Sequence, residues 1–200
     1  MPKFTAKITP FLCAAAILLG FKSAAADAPT TLLSGAMANF TLAAPQTPAP
    51  EISFAGPDGQ EMSLDAFRGK LVVLNFWATW CAPCRREMPD LDKLQARFGG
   101  PGFEVVALSL DRKGAAVIPP FYAEVGVGHL KIYSDRTMKS MRAFAAPGLP
   151  TTVIVGPDGS EKGRLIGPAD WASPEAIALI EHFLAEAGDA RAPLKSKAGG

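Results

Sequence analysis

Two cysteines stand three residues apart in the stretch Trp80-Cys81-Ala82-Pro83-Cys84-Arg85. A sulfur pair at this spacing can close and reopen a disulfide, or lend two thiolates to a metal. The neighbouring residues decide where the pair sits. Ahead of it, Leu71 to Trp77 is an almost unbroken apolar run, which suits a strand buried on both faces. Behind it, Met88, Leu91, Leu94 and Phe98 recur at spacings of three and four, the stripe of an amphipathic helix. Cys81 therefore falls at a helix N-terminus, where free backbone N–H groups and the helix dipole favour an anion. A thiolate there has a lowered pKa and leaves more readily, although its intrinsic nucleophilicity also falls. Cys84 lies one turn on, beneath Cys81, and Pro83 fits the first turn without losing a needed donor. In this arrangement Cys81 attacks a partner disulfide and Cys84 resolves the mixed disulfide.

Rival chemistries are weaker. Structural zinc needs two more ligands, and beyond carboxylates the chain offers only His129 and His182, which stand far apart. Haem attachment requires a histidine after Cys84, where the chain has Arg85. No metal and no cofactor is expected, the redox-active disulfide Cys81–Cys84 serving instead.

The elements that must hold the pair read as alternating strands and helices. Ile52 to Phe54 and Glu61 to Leu64 flank the turn Gly56-Pro57-Asp58-Gly59 as a hairpin, followed by a short helical turn ending at Gly69. The first helix carries Pro89, which is expected to kink it. Phe103 to Leu110 forms a second buried strand, and residues 115–125 look helical except for Pro119-Pro120. A short strand over Leu130 to Tyr133 and a helix over Arg136 to Phe144 follow. A second hairpin joins Thr151 to Val155 with Arg164 to Ile166. The last helix opens with Ser173 as N-cap and Pro174 at its first position. Strands alternating with helices, closed by a hairpin and helix, give an α/β sandwich with a mixed sheet.

The ends differ from the middle. Lys3 and Lys7 precede an uncharged run from Ile8 to Phe21, and Ala24-Ala25-Ala26 offers a small-residue cleavage site. Residues 1–26 thus read as a signal peptide or a retained N-terminal membrane anchor. The 14-residue run falls short of the roughly 20 needed to span a bilayer comfortably. Either way the rest of the chain is exported. Residues 27–50, rich in Ala, Thr and Pro, read as a linker. Residues 51–188 form the domain, and 189–200 a flexible tail. Lys and Arg total 20 against 19 Asp and Glu, so no basic surplus points to nucleic acid. Without the first 26 residues Cys13 is lost, leaving one close pair, which is no disulfide scaffold.

Trp77-Ala78-Thr79-Trp80-Cys81-Ala82-Pro83-Cys84-Arg85-Arg86-Glu87-Met88-Pro89 resembles the active-site signature of the TlpA-like thiol:disulfide interchange branch of the thioredoxin superfamily. The hairpin at the start and Gly148-Leu149-Pro150-Thr151-Thr152 before a late strand agree with it. The resemblance covers roughly residues 51–187. It implies a thioredoxin fold, with a central mixed β-sheet flanked by helices and an added N-terminal β-hairpin. It further implies that Pro150 is cis and faces the disulfide, turning the backbone of Leu149 toward a substrate peptide that pairs as an added strand. Asn75 stands where thioredoxin has a buried acid. Glu87 matches a carboxylate of related membrane-anchored reductases, where it handles the proton of Cys84; a first-turn glutamate favoured by the dipole is the equal alternative. Trp80, Ala82, Pro83 and Leu149 are the expected substrate contacts.

Members of this branch face the periplasm, take electrons from a membrane donor, and pass them to apocytochrome c or copper-site assembly factors. The implied partners are therefore protein disulfides. A disulfide-introducing oxidase and a copper-binding chaperone using the two thiolates stay open as alternatives. A peroxidase of the same fold places Thr three residues before its attacking Cys, a position held here by Ala78.

Overall fold

The computed structural model describes residues 32–191. The leader or anchor read over 1–26 lies outside the described residues, as do 192–200 of the tail read over 189–200, whose first three residues instead continue the last helix.

One eight-stranded mixed sheet forms the centre, in the order β1-β8-β7-β4-β5-β6-β2-β3. Its middle strands are β4 (Leu71–Trp77) and β5 (Phe103–Ser109), parallel and in register from Leu71 opposite Phe103 to Trp77 opposite Ser109. Both are buried along their whole length. This is why their sequences are continuous apolar runs rather than alternating ones. On the other side of β4 runs β7 (Thr151–Val155), antiparallel, with Asn75 opposite Thr152 and Phe76 opposite Thr151. Then comes β8 (Glu161–Ile166), hairpin-paired to β7. The N-terminal hairpin of β2 (Ser53–Ala55) and β3 (Glu61–Ser63) closes the far edge, joined through β6 (Tyr133–Ser134).

Strand alternation divides the core into two layers. Leu71, Val73, Trp77, Phe103, Val105 and Ala107 face α1 (Ala82–Phe98), α2 (Ile118–Val125) and α4 (Pro174–Arg191). Val72, Leu74, Phe76, Val106 and Leu108 face the other way, onto Phe54, Phe67, Tyr133 and Phe144 beside α3 (Lys139–Ala143). Asn75 is the polar residue among the α1-facing positions of β4.

Four expectations are corrected. Residues 32–50 are not a linker. Leu32, Leu33 and Ala36 pack on the α1-facing core, Met37 and Phe40 are buried in it, and Phe40–Leu42 forms β1 against β8. The Ala and Pro composition hides a few apolar side chains, enough to cover an otherwise open sheet edge. The domain therefore begins by Leu32. Pro119 and Pro120 do not break a helix but open α2, where the missing N–H costs nothing. The strand read over Leu130 to Tyr133 is displaced to the two residues of β6, sharing only Tyr133, and the helix read over Arg136 to Phe144 shrinks to α3. Helix α1 runs as one element through Pro89, and α4 is capped as expected, Ala176 N–H donating to Ser173 Oγ at 3.2 Å.

Candidate active site

Helix α1 begins at Ala82, so Cys81 is its N-cap residue and Pro83 lies in its first turn. The Cys84 N–H donates to Cys81 Sγ at 3.4 Å, the capping role usually taken by an oxygen. The two sulfurs are joined in a disulfide, with Cα atoms 5.3 Å apart. Cys81 is 6% exposed and Cys84 is fully buried. Beside them Trp80 stands 66% exposed, and Ala82 is exposed as well. The pair therefore sits just past the C-terminal end of β4, both cysteines buried and flanked by the exposed Trp80 and Ala82.

The Leu149–Pro150 peptide bond is cis, and Pro150 is buried immediately ahead of β7. Since Thr151 pairs with Phe76, this loop lies at the same end of the sheet as the cysteines, one strand over. Leu149 is half-buried and touches both core layers. Sequence positions far apart are thus gathered at one pole: Trp80 to Cys84 from the β4–α1 junction, Leu149 and Pro150 from the start of β7.

Glu87 lies on α1 one turn after Cys84 and is 2% exposed. Its Oε1 accepts from Asn75 Nδ2 at 2.8 Å, and its Oε2 from the Ala169 N–H at 3.3 Å. Asn75 Nδ2 also reaches Thr152 Oγ1 at 2.9 Å, so one amide ties α1, β4 and β7 together. Burial pushes the Glu87 carboxyl up to about 7, against the hydrogen bonds of Asn75 and Ala169, which favour its charged form. The Trp171 indole lies near enough to favour the charge too, without forming a hydrogen bond of good geometry. Asn75 Oδ1 has no hydrogen-bond partner among the described residues. A protonated Glu87 finds an acceptor there if the amide rotates.

Sequence reasoning missed Asp111. It is 5% exposed, just past the end of β5. Its Oδ2 accepts from the Thr79 N–H at 2.9 Å and from Ser109 Oγ at 2.8 Å; its Oδ1 accepts from Thr79 Oγ1 at 2.8 Å. The signal available was an aspartate after an apolar strand run, but its partner lies 32 residues away and is set by the β4–β5 register. Arg85, on the first turns of α1, adds to the same turn. It donates to the Thr79 carbonyl at 3.2 Å, pairs with Glu124 at 2.6 Å, and lies 4.6 Å from the centre of the Phe121 ring. Below the turn Trp77 is fully buried, stacked on Tyr122 with ring centres 5.8 Å apart.

Among the described residues no three His, Cys, Asp or Glu side chains converge to hold a metal ion. His129 is engaged elsewhere, its Nδ1 2.9 Å from Asp92. A cleft of about 840 Å³ lies at the opposite pole of the sheet, among Pro48, Ile52, Leu64, Arg68 and Ser160, remote from the sulfurs.

Residues 45–160 match the AhpC/TSA family. The chain is 32% identical over 119 residues to the thiol-disulfide oxidoreductase ResA of Bacillus anthracis, covering 60% of this chain and 68% of that protein. It is 34% identical over the same length to ResA of Geobacillus thermodenitrificans, covering 60% and 67%. Among solved structures, a putative thiol:disulfide interchange protein DsbE from Chlorobium tepidum superposes with a TM-score of 0.60 at 27% identity. That likeness covers 74% of this chain and 99% of the other. The mixed sheet with its flanking helices is the thioredoxin-like fold of the structures it matches. The chain belongs to the AhpC/TSA family and is a protein thiol–disulfide oxidoreductase of the ResA and DsbE type.

Proposed function

We propose that the chain is an exported reductase of partner-protein disulfides, with Cys81 attacking and Cys84 resolving. The observation that carries this reading is the place of the disulfide on α1: Cys81 is the N-cap residue, beside the exposed Trp80 and Ala82, whereas Cys84 lies a turn further in and is fully buried. In the reduced protein the Cys81 thiolate attacks one sulfur of the partner disulfide. That S–S bond breaks, a mixed disulfide forms, and the partner's first thiolate leaves and takes a proton. Cys84 then gives up its proton and attacks Cys81 Sγ, expelling the partner's second thiol. Two electrons and two protons have passed to the partner, and the Cys81–Cys84 disulfide remains.

Cys84 must lose its proton in a buried place, and Glu87 is the nearby group suited to receive it. A carboxyl held up to about 7 exchanges a proton near neutral pH, where an ordinary glutamate would already be fully ionised. Trp80, Ala82, Pro83 and Leu149 form the surface that meets the partner, and Pro150 sets the backbone on which its peptide lies. The direction fits electrons supplied by a membrane donor and delivered outside the inner membrane, for cytochrome c maturation or copper-site assembly. Among the described residues no helix is long and apolar enough to cross a membrane.

Two measurements test this. Reduced Cys84→Ser should accumulate a mixed disulfide with a protein substrate, while Cys81→Ser should form none; a trap by the Cys81→Ser variant reverses the roles. Equilibration with glutathione should give a potential near or below about −200 mV, the range of glutaredoxins and thioredoxin. A value close to about −120 mV makes the protein a disulfide donor instead.

A further inference from the structure

Thr79 is gripped on three sides. Its N–H and its hydroxyl both donate to the buried Asp111 carboxylate, one to each oxygen, and its carbonyl accepts from Arg85 Nη1. The grip comes from three separate elements. Asp111 follows β5, where Ser109 Oγ also braces its Oδ2. Arg85 rises from α1, and its guanidinium is in turn fixed by Glu124 and the Phe121 ring, both on α2. Thr79 itself lies inside the turn from Ala78 to Cys81, closed by the Cys81 N–H donating to the Ala78 carbonyl at 3.1 Å. The other residue inside that turn is Trp80, which is largely exposed. A turn that holds a large apolar side chain out in water needs anchoring from behind, because burying the ring would otherwise be favoured.

We propose that Asp111 and Arg85 are positioning residues that act through Thr79, fixing the turn so that Cys81 Sγ stays at the mouth of α1 and Trp80 stays on the partner-facing surface. The role is distinct from the proton transfer proposed for Glu87, which concerns Cys84. It rests on the reading of Cys81 as the attacking sulfur and deepens it.

Geometry and charge predict different outcomes. Asp111 and Arg85 carry opposite charges near Cys81. If they acted only through their fields, removing the anion would ease thiolate formation and removing the cation would hinder it. If they act through the turn, loosening either one moves Cys81 away from the helix N–H groups and hinders thiolate formation. A neutral change to Thr79 must then do the same.

The test is the pH dependence of Cys81 alkylation by iodoacetamide in the full reduced protein, which needs no partner. Thr79→Val removes the hydroxyl without altering charge or bulk. It should raise the midpoint by about half a pH unit, roughly a threefold loss of thiolate at a fixed pH below it. Arg85→Met should raise it too, and Thr79→Ser, which keeps the hydroxyl, should restore the wild-type profile. Asp111→Asn keeps an acceptor and a donor in place and should shift the midpoint less than Asp111→Ala. A Thr79→Val profile identical to wild type, or shifted down, overturns the proposal, whatever Arg85→Met does. If instead the wild-type thiol that alkylates first is Cys84, the assignment of Cys81 as attacking sulfur fails, and the two failures are told apart.

Discussion

Replacing Glu87 by glutamine should change how the stability of the oxidised protein depends on pH. Burial raises the carboxyl from 4.5 to about 7. Below about pH 4.5 the group holds its proton in the folded and the unfolded chain alike, so it adds no pH dependence. Between 4.5 and about 7 the unfolded chain releases the proton while the folded one keeps it. The folded state then binds more protons, and stability falls as pH rises. Above about 7 both states are ionised and the loss is complete. The size of the rise corresponds to about 3 kcal/mol between the two ends of that window. Glutamine cannot ionise and resembles the protonated acid in bearing one acceptor and a donor. Its carbonyl can take the Ala169 N–H, and its amide can donate to Asn75 Oδ1, the atom that has no partner in the wild type. The Asn75 amide must rotate to allow this, so some stability is lost at every pH. Urea unfolding of both oxidised proteins in steps from pH 4.5 to 8 measures the effect. The stability of Glu87→Gln relative to wild type should climb by about 3 kcal/mol across the window. Two curves that stay parallel would show that Glu87 titrates as an ordinary surface acid, and its role as proton carrier for Cys84 would fall with it.

Trp80→Ala should slow reduction of a protein disulfide by about tenfold, the value of one well-placed aromatic anchor, and leave the thermal midpoint unchanged because the ring is largely exposed. An equal slowing toward oxidised glutathione would assign the ring to the chemistry rather than to partner contact. Phe40→Ala should cost about 3 kcal/mol in chemical unfolding, as for other buried aromatics. A change under about 1 kcal/mol, typical of surface sites, would mean that β1 is a detachable strap and that the domain starts near residue 51.

The parts of the molecule legible in sequence are those governed by local rules. The apolar runs of β4 and β5 have no polar interruption except Asn75, Glu104 and Ser109. The two Gly-Pro-Asp-Gly turns announce their hairpins, and Ser173-Pro174 announces α4. The cysteine pair was legible for the same reason, lying where a strand pattern changes to a helix pattern within five residues. What stayed hidden depends on distant partners. β1 is a strand because β8 offers it an edge, and nothing in Phe40-Thr41-Leu42 alone distinguishes it from coil. Pro119-Pro120 signals a break in one context and a helix start in another. Which one holds here follows from Ile118 and Phe121 being buried against the α1-facing core. Asp111 reads as an aspartate after a strand until the parallel register sets Ser109 beside Trp77 and brings Thr79 within reach.

The direction of β1 has a consequence for how the molecule can be held. Phe40 pairs with Leu165 and Leu42 with Gly163, so the strand runs away from the pole where Ile166 meets Thr151. The turn before it, around Gly35, rests against Glu175 in the first turn of α4. The polypeptide therefore enters the domain on the hemisphere that carries the cysteine pair, and the cleft among Pro48 and Arg68 lies at the antipode. Anything fastened ahead of Leu32, whether a bilayer, a bead or a fused domain, grips the protein by its working end. Partners on that same support lie within easy reach of Cys81.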